Sequence, residues 1–195
     1  MSDSLKDLIL TASTRADVIA AVQQIYTDLQ IAIDTRRPLC SASGECCRFD
    51  AYGHRLYVTT LELATFVAQL PPPAKPKTSS LTPSTSSGLA LHPSSLPHND
   101  CPYLVAGRCS VHLIRPFGCR IFFCDPTATQ WQNDLYEATL QRLKDEHERL
   151  AVPYRYVEWR AALKELGLPD IKEVSANPNA FDSPRVRSLH LPQAR

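Results

Sequence analysis

The chain has 195 residues and a formal net charge of +1, with 44% hydrophobic and 21% charged residues. This length fits one domain of ordinary size with some excess, and the composition lies near the globular average, which argues against general disorder and against a membrane class. The small net charge does not favour binding to nucleic acid or to anionic lipid, so we expect neither as a partner.

The first 34 residues are predicted to form an N-terminal helical segment. Its apolar residues recur at spacings of four, three and four, which places them on one helix face: Val18, Val22, Ile25 and Leu29. The start of the chain lacks the basic residues and the continuous apolar segment of a secretory signal. No run of 18 apolar residues occurs in the sequence, so no membrane span is predicted and we expect a cytoplasmic protein.

A strand, a helix and an insertion follow. Residues 55–60, RLYVTT, are predicted to be extended, and Thr59 to Glu62 has the pattern of a capping box at the start of a helix over about 61–70. Residues 71–99 hold seven prolines and seven serines but only two formal charges. This composition predicts a flexible insertion. Because the entropy of loop closure grows only logarithmically with length, the segments on either side can still meet.

A hairpin and two helices are predicted after the insertion. Gly107 supplies the turn between extended segments at 103–105 and 108–111. Asp125-Pro126 is typical of a helix start, and that helix is expected to continue through Trp131, Leu135, Ala138 and Leu143 to about residue 150. A last helix is predicted over about 154–166, closed by Gly167.

Seven cysteines all lie between residues 40 and 124, in predicted loops and turns. Thiols stay reduced in the cytosol, and an odd number cannot all be paired as disulfides. Cysteines used only as small core residues would be scattered, so the clustering predicts metal ligation. Thiolates favour zinc, copper(I) or iron with sulfide. All seven are candidate ligands: Cys40, Cys46, Cys47, Cys101, Cys109, Cys119 and Cys124.

Arginines and histidines also occur between residues 40 and 124. Arg48, Arg108, Arg115 and Arg120 either offset the negative charge of metal-bound thiolates or are ordinary surface charges. Among the histidines His54, His92, His98 and His112, the last is the best additional ligand because it follows Cys109 by three residues; the other interpretation is a hydrogen-bonded turn histidine.

The cysteine pattern resembles that of the YkgJ-type cysteine-cluster proteins, described as zinc- or iron-chelating domains. The matching text is CSASGECC at 40–47, CPYL at 101–104, RCSVH at 108–112 and RPFGCRIFFC at 115–124. Ser43 stands in the place of the second cysteine of a CxxCxxCC signature, His112 replaces an aromatic residue, and the last stretch is one residue longer than in the family. The resemblance implies zinc or iron as cofactor, with an iron–sulfur cluster as one form.

The predicted fold class is therefore mainly α with a small β-hairpin, in one irregular, cysteine-rich, metal-stapled domain. It divides into an N-terminal segment at 1–34, a cysteine-cluster domain at 40–167 interrupted by the insertion, and a flexible tail at 168–195. The expected function is metal binding. Two alternatives are an iron–sulfur enzyme, since the resemblance extends to flagellin lysine methylases, and a metal-handling or protein-interaction module. The substrate and any protein partner stay open.

Overall fold

The computed structural model describes residues 4–39, 44–70, 100–105 and 107–168. Cys40, the predicted insertion and the predicted tail after residue 168 lie outside these ranges. The helices are α1 Leu5–Ser13, α2 Ala16–Arg36, α3 Phe49–Tyr52, α4 Thr60–Gln69, α5 Phe117–Ile121, α6 Thr129–Arg149 and α7 Trp159–Leu166. The strands are β1 Tyr57–Thr59, β2 Leu104–Val105, β3 Arg108–Cys109 and β4 Tyr156–Glu158. The mainly α fold with a small hairpin is thus confirmed.

The N-terminal segment forms two helices with a break at residues 14 and 15. Arg15 is extended, with φ −88° and ψ 114°, so the chain turns before α2 begins. The predicted face of α2 is buried as expected, with Val18, Val22, Ile25 and Leu29 in the core. Helix α1 packs on α4, and α2 packs on α4 and α6.

Helix α4 lies at the centre of the fold. Its predicted capping box is present: the Thr59 side chain accepts from the Glu62 N–H, and the Glu62 carboxylate accepts from the Thr59 N–H at 2.9 Å. Residues 60–66 are all buried, which is typical of a helix enclosed on every side. The carboxylate of Glu62 is therefore held in the interior.

Two antiparallel strand pairs complete the fold. The predicted hairpin is confirmed: Leu104 pairs with Cys109, and Gly107 takes a positive φ of 75°. The second pair joins β1 to β4, with Val58 opposite Val157, and was not predicted.

The helix expected over 154–166 was therefore wrong in its first part. Residues 156–158 form β4, and α7 begins only at Trp159. The aromatic and β-branched residues there suit an extended chain, and β1 offers backbone partners: the Thr60 N–H donates to the Arg155 carbonyl at 3.1 Å, and the Trp159 N–H donates to the Leu56 carbonyl at 2.9 Å. Hydrogen bonds between strands that are far apart in sequence therefore outweigh the local helical pattern.

Helix α6 begins and ends close to where it was predicted. The Asp125 carboxylate accepts from the Thr127 N–H at 2.9 Å, ahead of a single 3-10 turn that leads into α6. The helix then continues through Trp131, Leu135, Ala138 and Leu143 to Arg149. Its buried residues are Thr139, Leu140, Leu143 and His147, whereas Trp131 and Leu135 are half-buried and Ala138 is exposed.

The buried residues divide into two clusters. One lies between α2, α4, α5 and α6, and the other between α1, α4, α7 and the hairpin. Cys47 and Cys101 belong to the second cluster. No helix in the described parts of the chain has both the length and the apolar character needed to cross a membrane.

Candidate metal centre

The two cysteine-bearing segments, separated by the insertion in sequence, lie directly against each other. The Cys101 N–H donates to the Cys47 carbonyl at 2.7 Å. Gly44 lies so close to the hairpin turn that a Cβ on it would be 2.6 Å from the Gly107 carbonyl oxygen. These two backbone contacts bring Cys46 and Cys47 beside the residues of the hairpin.

Gly44→Ala is expected to destabilise the protein by about 2–4 kcal/mol. Gly44 has a φ of +76°, which costs an L-residue about 1–2 kcal/mol, and the added Cβ also collides with backbone. Gly53→Ala is the matched control, because Gly53 has a φ of +65° but no heavy atom within 4 Å of the added Cβ. Urea unfolding of both variants separates the two costs; equal losses of stability would mean that the close approach to Gly107 contributes nothing.

Four thiols form a mutual group centred on Cys47. The thiols of Cys101, Cys109 and Cys46 act on the Cys47 thiol, and together with burial they raise its pKa. The same interactions lower the pKa values of its three neighbours: that of Cys46 to about 6 and that of Cys109 to about 7, while that of Cys101 falls below its ordinary value. The arrangement therefore favours negative charge on the sulfurs of Cys46, Cys101 and Cys109.

Cys119 approaches the group from α5. Burial of its sulfur raises the pKa of Cys119, and the charges of Cys101, Cys109 and Cys46 add to that rise. Cys119 is thus the fifth thiol of what we call the thiol cluster: Cys46, Cys47, Cys101, Cys109 and Cys119.

The remaining two candidate ligands have other positions. Cys124 is exposed, and its thiol donates to the Glu45 carboxylate at 3.0 Å. It does not line the cavity around the other thiols. Cys40 lies outside the described residues.

A cavity of about 380 Å³ opens between the thiols. All five thiols of the cluster line it, together with Arg108, His112, Arg115 and Trp159. Arg115 lowers the pKa values of Cys46 and Cys109 through its positive charge. Arg115 is therefore a cation close to the thiols, and Arg108 lies on the cavity wall as an exposed residue.

The other arginines serve elsewhere. The Arg120 guanidinium lies 4.4 Å from the centre of the Tyr26 ring and donates to the carbonyls of Arg115, at 2.9 Å, and Leu113, at 2.7 Å. It therefore braces the loop that carries Arg115. Arg48 does not line the cavity.

The histidines differ in their suitability as ligands. His112 is an exposed residue whose ring reaches the cavity wall, and partial burial, helped by Arg115 and Arg120, lowers its pKa to about 4. It is therefore neutral at neutral pH, as a ligand must be. The His54 ring lies within hydrogen-bonding distance of the Cys46 carbonyl and stacks on Phe122. His92 and His98 lie outside the described residues.

Glu62 positions the thiol-bearing helix α5, which sequence reasoning missed. Its Oε1 accepts from the Phe117 N–H at 3.0 Å and from the Tyr26 hydroxyl at 3.2 Å, while Oε2 accepts from Thr59. The capping-box pattern was visible in the sequence, but nothing indicated that the second oxygen reaches α5. Cys119 lies on the first turn that this carboxylate anchors.

A second cleft, of about 200 Å³, adjoins the thiol cavity. Cys46, Cys119 and Phe122 line both. The cleft also receives polar side chains: Arg55, Tyr57, Gln132, Asn133 and Tyr136. A small polar molecule in this cleft would contact two of the five thiols.

The thiols are neighbours without being arranged as a formed coordination site. Over residues 4–39, 44–70, 100–105 and 107–168, no set of three or more Cys, His, Asp or Glu side chains has the geometry that holds a metal ion. The thiols line one cavity, and a soft metal ion would have to draw the sulfurs into its own geometry. Comparisons with family models, with curated proteins and with solved structures found no match to this chain.

Proposed function

We propose that this protein binds a metal centre, zinc or iron, through the thiol cluster. The observation that carries the proposal is that five thiols, from segments far apart in sequence, line one cavity. Sulfur donors select zinc, copper(I) or iron with sulfide over hard cations. Iron would be bound as an iron–sulfur cluster, which takes four thiolates, as zinc does in a closed structural site.

Charge at the site supports this assignment. Four thiolates around a divalent zinc ion carry a formal charge of minus two, and a guanidinium nearby offsets it. Arg115 is the cation whose charge acts on Cys46 and Cys109.

The metal would also stabilise the fold. Apparent binding free energies of structural zinc are about 10–16 kcal/mol, against net domain stabilities of about 5–15 kcal/mol. The ligands join the segment at 44–47 to the hairpin and α5, which the insertion separates in sequence. Metal removal is therefore expected to lower the stability of the whole cysteine-bearing region.

The deciding experiment measures metal and acid-labile sulfide per chain on anaerobically purified protein, together with its absorption spectrum. Zinc without sulfide and without visible absorbance identifies a zinc site, whereas iron with sulfide and a brown colour identifies a cluster. Protein that holds neither metal after expression in metal-replete medium, and that takes up neither on reconstitution, overturns the proposal.

The resemblance to YkgJ-type cysteine-cluster proteins agrees with this function. The residues that carry it include all five thiols of the cluster: Cys46, Cys47, Cys101, Cys109 and Cys119. Membership of that family is part of the proposal. The position occupied by Ser43 lies outside the described residues, so the proposal rests on the five thiols alone.

A second candidate function is catalysis at the same centre. The second cleft supports it, because Cys46 and Cys119 line this cleft and no residue of the hairpin does. A metal centre with an open position can activate a bound molecule. An iron–sulfur spectrum that changes when S-adenosylmethionine is added would favour this function, whereas a colourless zinc protein would exclude an iron–sulfur enzyme.

A metal-handling role is distinguished by kinetics. Zinc that exchanges rapidly with a chelator while the protein stays folded indicates transfer of ions to a partner. Zinc that is released only when the protein unfolds indicates a structural centre.

A further inference from the structure

Two residues that line the thiol cavity each carry a buried N–H donor without a hydrogen-bond partner. Among the described residues, four buried side-chain nitrogen or oxygen atoms lack a partner, and two of them, Arg115 Nε and Trp159 Nε1, belong to residues that line the thiol cavity. A buried donor left unpaired costs about 1–3 kcal/mol, so native proteins rarely keep one without a reason. The two unpaired donors therefore imply that this cavity provides an acceptor for them when its site is complete.

Trp159 is held rigidly in this position. It begins α7, its backbone N–H donates to the Leu56 carbonyl at 2.9 Å, and only 2% of its surface is exposed. Its ring packs edge-on to Phe66, with centroids 4.9 Å apart, and lies 6.0 Å from the Tyr103 ring. The indole thus has no freedom to turn towards solvent or another acceptor.

The sulfur of Cys101 is an acceptor close to this indole, and both residues line the thiol cavity. Cys47 contributes most to lowering the pKa of Cys101, and the indole N–H of Trp159 adds a smaller contribution, although its contact with the sulfur falls short of a full hydrogen bond. A neutral thiol is a weak acceptor, whereas a thiolate accepts strongly. The contact would therefore strengthen when Cys101 loses its proton to a metal.

We propose that Trp159 is a positioning residue of the metal centre, whose indole N–H donates to the Cys101 sulfur once that sulfur is a metal-bound thiolate, and that Arg115 Nε donates to the same anionic centre. This inference rests on the proposed function. Hydrogen-bond donors to the ligating sulfurs orient the ligands, stabilise negative charge on sulfur and adjust the properties of the metal. Their loss lowers metal affinity by about 10–100-fold. The ligand class at the cavity is accordingly an anionic, sulfur-ligated metal centre.

The chain provides its own matched control, because it has only two tryptophans. Trp131 lies on α6, where its ring contacts Phe123 and carries the Arg36 guanidinium 5.3 Å from its centre. It lines neither cavity. Trp131→Phe leaves Trp159 as the single indole, and Trp159→Phe leaves Trp131.

The test titrates zinc into reduced full-length protein and follows the indole N–H in proton–nitrogen correlation spectra. In Trp131→Phe, the Trp159 N–H resonance should shift and its exchange with water should slow as zinc saturates the site. In Trp159→Phe, the Trp131 resonance should not move. Chelator competition should show zinc bound about tenfold more weakly by Trp159→Phe and within about twofold of wild type by Trp131→Phe, since Trp131 does not line the thiol cavity.

The outcomes separate this inference from the proposed function. If wild type and Trp131→Phe bind no zinc, the zinc form of the proposed function fails and the inference fails with it. If both bind zinc but the Trp159 resonance stays unchanged and Trp159→Phe binds like wild type, this inference alone is overturned. Should Trp159→Phe fail to fold, the resonance of Trp159 in Trp131→Phe decides, because that measurement needs no change at Trp159.

Discussion

Cys47→Ser is expected to remove most of the bound metal from the protein, whereas Cys124→Ser is expected to retain it. Three other thiols of the cluster act on the Cys47 thiol, while Cys124 is exposed and donates to Glu45 outside the thiol cavity. A serine hydroxyl is a poor ligand for a soft metal. Even changes outside the ligand set weaken metal binding by about 10–100-fold, so loss of the central ligand should cost at least about 100-fold.

Metal per chain after anaerobic purification gives the first readout, and the thermal response to a chelator gives the second. Wild type and Cys124→Ser should lose stability when a strong chelator is added, and Cys47→Ser should show no further loss, because ligand binding to the native state adds to stability. Circular dichroism checks that Cys47→Ser is folded. Equal metal content in Cys47→Ser and wild type would contradict the role given to Cys47.

The sequence predicted those elements whose signal is local. The capping box at Thr59 and Glu62, the positive φ at Gly107 and the buried face of α2 all depend on residues close in sequence, and all three are present. The pairing of β1 with β4 could not be predicted in this way, because it depends on partners from opposite ends of the cysteine-bearing region. The helix predicted from residue 154 therefore begins later, at Trp159.

The candidate site was predicted in part for the same reason. Clustering along the chain identified the cysteines, and the structure places five of them around one cavity. Cys124 is directed elsewhere by its contact with Glu45, which spacing alone does not reveal. Trp159 had no signal in the sequence, since a tryptophan at a helix start is usually only a core residue, and its contact with Cys101 depends on β4 placing α7 beside the hairpin.

Glu62→Ala is expected to destabilise the protein by on the order of 4 kcal/mol or more, the largest loss of stability that we expect from a single side chain. The carboxylate accepts from the N–H groups of Thr59 and Phe117 and from the Tyr26 hydroxyl, all in the interior. Each buried donor left without a partner costs about 1–3 kcal/mol. For a chain of this size, a loss of that order lowers the midpoint of thermal unfolding by about 10 °C.

Glu158→Ala is the matched control for helix capping. The Glu158 carboxylate accepts from the Ala161 N–H at 2.7 Å at the start of α7, in a solvent-accessible position. Because water can replace that bond, its loss should cost about 1 kcal/mol. Similar losses from Glu62→Ala and Glu158→Ala would show that the interior network of Glu62 adds nothing to the cap.

The same carboxylate should make stability depend on pH. Burial raises the pKa of Glu62 above its ordinary value of 4.5, and the donors from Thr59, Phe117 and Tyr26 only partly counteract that rise. Because the folded-state pKa exceeds the unfolded one, the folded state binds more protons between the two values, and stability falls as the pH rises through that window. Glu62→Gln cannot titrate, so the stability of wild type relative to Glu62→Gln should decrease as the pH rises above 4.5. Urea unfolding of both proteins at several pH values measures this difference. A constant difference would mean that Glu62 has the same pKa in the folded and unfolded chains.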